Sequence, residues 1–80
     1  MNGPGRYVAE IPTAMRREEV RWLVLQQEES SGGWLLLGHQ TLEEGSEFDS
    51  WYQTREQALK EADRLWGVMP SAWRADLRAV

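Results

Sequence analysis

The sequence predicts an α+β domain: an antiparallel sheet of three or four strands, with one main C-terminal helix packed on one face and a short terminal helical segment after it. Three observations carry that expectation. Residues 54–67 hold a complete helix signature, the stretches before it read as short apolar strands parted by turns, and those strands are apolar on both sides.

The helix is the most complete signal. Thr54 suits the N-cap because its hydroxyl can accept a first-turn amide, and Gln57 can reach back to close a capping box. Ala58, Leu59, Ala62, Leu65 and Trp66 recur at the spacing of one helical face. Gly67 supplies a left-handed stop and Pro70 forbids continuation.

Before the helix, Arg6–Ile11 reads as a short strand with Tyr7, Ala9 and Ile11 on one side, ended by Pro12. Thr13 is placed to cap a helical turn through Arg17. The preferred reading of the next stretch is a loop or single turn and then a strand from about Val20 to Gln27, and a helix over 13–28 is the alternative. The run Trp22-Leu23-Val24-Leu25 favours the strand. Glu28–Gly33 is a turn, Trp34 to about Leu42 a second strand, Glu43–Ser46 another turn, and Glu47–Tyr52 a strand leading into the helix. Short loops make these strands antiparallel neighbours. After Pro70, Ser71 is a candidate cap, with Trp73, Leu77 and Val80 at helical spacing.

Eighty residues make one domain, expected over 6–80 behind a disordered tail at 1–5. With no cysteine, disulfides and thiolate metal sites are excluded; five tryptophans supply core bulk instead. No leader pattern is read in Met1–Arg6, and the longest apolar runs are four residues, so the cytoplasm is the expected location.

The formal net charge of −4 is distributed unevenly. Trp22–Gln53 contains six acids and no Lys or Arg, while each flanking portion balances to +1. An acidic middle repels a phosphate backbone, so nucleic-acid binding is expected to be weak or absent. Arg16-Arg17, Lys60 and Arg64 are the basic candidates, but Glu56, Glu61 and Asp63 interleave with those on the helix.

Catalysis has little material. His39 is the single histidine, and none of the serines sits in a nucleophile-elbow context. Glu43, Glu44, Glu47 and Asp49 lie near His39 in sequence but lack metal-ligand spacing. No phosphate-cradling motif follows Gly32-Gly33. The expectation is no enzyme, no cofactor and no metal, with His39 a hydrogen-bonded strand residue.

The stretch Phe48–Ala58 with Ala62 resembles an outline shared by small sheet-plus-helix domains, among them double-stranded-RNA-binding-like modules and integrase arm-binding domains. It departs from the RNA-binding modules in lacking their basic helix amino terminus.

What remains is an interaction role. Period two puts Trp34 and Leu36 on one side of their strand and Leu35 and Leu37 on the other, so one helix cannot cover everything. The expected function is a protein-interaction or regulatory module, with a homodimer as its simplest form, weak nucleic-acid binding as the alternative and an enzyme as the last reading. Trp22, Trp34, Trp73, Leu35 and Leu37 are the candidate partner-binding residues.

Overall fold

The computed structural model describes residues 5–76. In chain order these form strand β1 (Arg6–Glu10), a 3₁₀ turn (Thr13–Met15), β2 (Trp22–Gln27), β3 (Trp34–His39), β4 (Phe48–Tyr52), helix α1 (Arg55–Trp66), a second 3₁₀ turn (Pro70–Ala72) and β5 (Arg74–Ala75). The strands make one antiparallel sheet in the order β4-β3-β2-β1-β5. It has five strands rather than three or four.

Helix α1 starts and stops on the residues expected of it. Thr54 is extended, its hydroxyl accepts from the Gln57 amide at 3.2 Å, and the Gln57 side chain accepts from the Thr54 amide at 3.4 Å. Gly67 adopts φ 67°, a left-handed conformation open to glycine at little cost. Its amide and that of Val68 then cover the carbonyls of Asp63 and Ala62 at 2.9 and 3.2 Å. Ala58, Ala62 and Trp66 are the buried helix residues, and the two alanines allow close approach to the sheet.

Register fixes which residues face α1. Ala9 pairs with Leu23, Leu23 with Gly38 and Gly38 with Phe48; one step along, Tyr7, Leu25, Leu36 and Ser50 follow one another across the strands. The core joins Ala9, Leu23 and Leu36 to Ala62, Trp66 and Val68, and Ile11 and Val20 close its lower end. Phe48 lies across Gly38, where any Cβ would fall inside its ring. The same ring stacks on Trp66, with centroids 5.5 Å apart and planes 8° from parallel.

The stretch 13–28 is a turn and a strand, as preferred, and no helix runs through it. Thr13 does not cap: it is the first residue of the 3₁₀ turn, Pro12 holds the cap position, and no side chain bonds there. A tight turn follows, closed by the Val20 amide on the Arg17 carbonyl at 2.9 Å. Its central residues, Glu18 and Glu19, have φ 52° and 65°. Such a pair suits Asn-Gly, and side chains with a full Cβ are strained there.

The segment after Pro70 is not helical throughout. One 3₁₀ turn gives way at Trp73, which is extended, and Arg74–Ala75 pair with Val8 and Tyr7. A single turn gains little from its own hydrogen bonds, whereas the open edge of β1 offers ready partners. The Asp76 amide continues the pairing onto the Arg6 carbonyl at 3.0 Å. Leu77 and Val80, expected in that helix, lie outside the described residues, as do residues 1–4 of the expected tail. Gly5, its last residue, accepts from the Gln27 amide at 2.8 Å.

Two stability changes are expected. Thr54→Ala removes the cap and costs about 1 kcal/mol in urea unfolding. Replacing Glu18-Glu19 by Asn-Gly relieves the left-handed pair and raises stability by about 1 kcal/mol, read from the same midpoint shift.

Candidate interaction surface

The face of the sheet away from α1 is built from the alternate residues of each strand. Its middle row runs from Arg74 through Val8, Val24 and Leu37 to Asp49, following the strand pairings. On one side lie Glu10, Trp22 and His39, and on the other Arg6, Gln26, Leu35 and Trp51. Val24 at the centre is fully buried. Around it, Trp22, Leu37, Leu35 and Trp51 form an apolar diagonal across this open face, while Val24 itself exposes nothing.

Trp51 is the most exposed aromatic residue of that face, at 50%. It is nevertheless held in place. Its indole N–H donates to the Ser31 hydroxyl at 3.1 Å, and that hydroxyl also accepts from the Gly33 amide at 3.1 Å. The Ser31 hydroxyl proton goes to Glu28 Oε1. The ring lies over Gly33, where a Cβ would fall inside it. A large ring fixed before contact loses little rotamer freedom on binding.

Trp22, Leu35 and Leu37 share this open face. Trp34 and Trp73, the other two candidates, do not. Trp34 sits on the α1 side with its ring 6.5 Å from Tyr7, and the Arg55 guanidinium lies over both rings, at 6.0 and 4.8 Å. Trp73 packs against the helix-side core, with its indole N–H buried and without an acceptor among the described residues. The sequence expectation leaves out Trp51, which reads there as the strand end before the helix cap. The available signal is Gly33, a bare backbone position two residues from Leu35, the register partner of Trp51.

His39 is buried at 6% exposure. Its Nδ1 lies 3.1 Å from the Glu44 carbonyl, which can only accept, so Nδ1 carries the proton and ties down the β3–β4 loop. Nε2 has no hydrogen-bond partner among the described residues. Those residues place no group of three or more His, Asp or Glu side chains to hold a metal ion. No helix among them is long and apolar enough to cross a membrane.

At the β5 corner a recess of about 350 Å³ opens between Val8, Glu10, Trp22, Leu42 and Arg74. Arg6 Nε lies 3.1 Å from Asp76 Oδ2 beside it, an ion pair by distance without hydrogen-bond alignment. Away from this face, Arg64 grips the Glu61 carboxylate through two bonds of 2.7 and 2.8 Å and holds its pKa below the usual carboxylate range. That small surface contribution is present at neutral pH and is lost as the pH falls through the lowered value.

Comparison of the chain with family models, with curated proteins and with solved structures found no match.

The geometry predicts a fluorescence signature. Trp51→Phe should remove most of the acrylamide-quenchable emission of the folded protein while leaving far-ultraviolet circular dichroism unchanged. Equal quenching before and after the change would contradict an exposed, fixed ring.

Proposed function

We propose that this domain is a protein-interaction module that presents the open face of its sheet to another protein chain. The observation that carries the reading is Trp51: half exposed, pinned by Ser31 and Gly33, and continuous with Leu35 and Leu37. Aromatic anchors fixed in advance, beside apolar neighbours, are what interface hot spots are made of.

Charge supports a protein partner over nucleic acid. Three of the four basic side chains that a nucleic-acid role would draw on, Lys60 being the fourth, are engaged within the fold. Arg16 pairs with Glu10 at 2.8 Å, Arg17 lies 4.3 Å above the Trp66 ring and donates to the Leu65 carbonyl, and Arg64 holds Glu61. The open face itself carries Asp49 and Glu10 beside Arg74 and Arg6, the last paired with Asp76.

The test is capture from cells of the source organism with wild type and with Leu37→Glu, matched for thermal stability. A protein recovered by wild type and lost with Leu37→Glu supports the reading. A partner held equally by both, or recovery of nucleic acid alone, overturns it. In a gel shift with duplex DNA at physiological salt, no complex is expected below about 1 μM, the range above which non-specific binding ordinarily falls.

A further inference from the structure

The geometry points to β4 as the docking edge: an extended, lysine- or arginine-bearing segment of another protein adds beside Phe48–Tyr52 as a new strand, with its basic side chains toward Asp49 and Trp51. This deepens the interaction reading above and rests on it.

The sheet ends at β4 on one side and at β5 on the other. β5 is two residues long, whereas β4 is five, and nothing among the described residues pairs with its outer side. An unpaired strand of that length offers a row of amides and carbonyls to an incoming chain. Backbone pairing supplies affinity in such additions, and alternate side chains supply selection.

Those alternate side chains are Asp49 and Trp51, both exposed and both on the open face. An added strand places its own residues about 4.5–5.5 Å from them. Opposite Asp49, a lysine or arginine makes an ion pair, and over the Trp51 ring a cation gains from the ring's negative face. Surrounding charge has the same sign. Glu44 and Glu47 precede the strand, Glu28 and Glu29 sit in the turn whose Ser31 holds the Trp51 indole, and residues 22–53 include no Lys or Arg. Arg55, the nearest cation in sequence, is committed to the opposite face over Tyr7 and Trp34.

The same charges decide against a second copy as the occupant. Two-fold antiparallel pairing of β4 with itself about Ser50 sets Asp49 opposite the Trp51 and Glu47 opposite the Gln53 of the other copy, so neither carboxylate meets a cation, between molecules that each carry −4. An acidic peptide meets the same repulsion. A basic extended segment alone satisfies both the backbone and the side chains.

The probes are two synthetic peptides, one alternating lysine with valine and one alternating glutamate with valine, titrated into the full chain by amide-resolved NMR. The lysine peptide is expected to shift the amides of residues 48–52, to weaken as salt is added, and to bind at least about tenfold more tightly than the glutamate peptide. Asp49→Lys should reverse that preference, and Trp51→Ala should weaken the lysine peptide with the fold intact by circular dichroism. Equal binding of both peptides, shifts that avoid 48–52, indifference to Asp49→Lys, or a dimer seen by sedimentation whose interface is β4 would each overturn the proposal. If the peptides fail while cellular capture still depends on Leu37, the edge-strand partner is wrong and the open-face reading stands. If both fail, both are wrong.

Discussion

The Phe48 ring is the piece on which the two layers of this domain meet. It touches both the bare backbone of Gly38 and the indole of Trp66, so one aromatic ring meets strand and helix at once. Above Trp66 sits the Arg17 guanidinium, which also donates to the Leu65 carbonyl near the helix end. A cation there complements the negative end of the helix as well as the ring face. The stack thus joins β3, β4, α1 and the turn before β2. The strained Glu18-Glu19 pair follows Arg17 directly and closes the turn that sets it in place.

Strand β4 repeats the device on its other side. Phe48 covers Gly38 toward the helix, and Trp51 covers Gly33 toward the open face. Rings laid over a glycine in a strand or just before it replace the side-chain contacts that the glycine lacks. They also fix register, because a one-residue slip would turn each ring to the wrong face. An edge strand has a neighbour on one side only, and here two ring–glycine contacts make up for the missing one.

How much of this was legible depended on whether the signal was local. The cap at Thr54, the stop at Gly67 and the stripe ending in Trp66 are local chemistry, and α1 follows them to the residue. The apolar double parity of β2 and β3 was also readable: α1 and its core cover one side, and Trp22, Leu35 and Leu37 stay on the open one. β5 was not readable. Two residues carry no periodicity, and the strand exists because the β1 edge, far away in sequence, accepts it. Thr13 looked like a cap, but Pro12 with its fixed φ already sets the turn. Trp22, Leu35 and Leu37 fell together on one face because period two is enough to place them. Period two in β3 equally sets Trp34 on the side opposite Leu35 and Leu37, so those three could not share one face, whereas the place of Trp73 follows from β5, which no spacing after Pro70 announces.

Pairing β5 with β1 sets Ala75 beside Tyr7, so the two ends of the described chain leave from one edge of the sheet. The opposite edge, β4, lies three strands away from β1. Topologically the domain behaves like a ring broken at the β1–β5 seam. It can be carried within a loop of a larger host, or relinked and reopened at the glycine turn before Trp34, without rerouting the chain through the core. Any fusion attached through that seam would leave β4 and the Trp51 corner pointing outward.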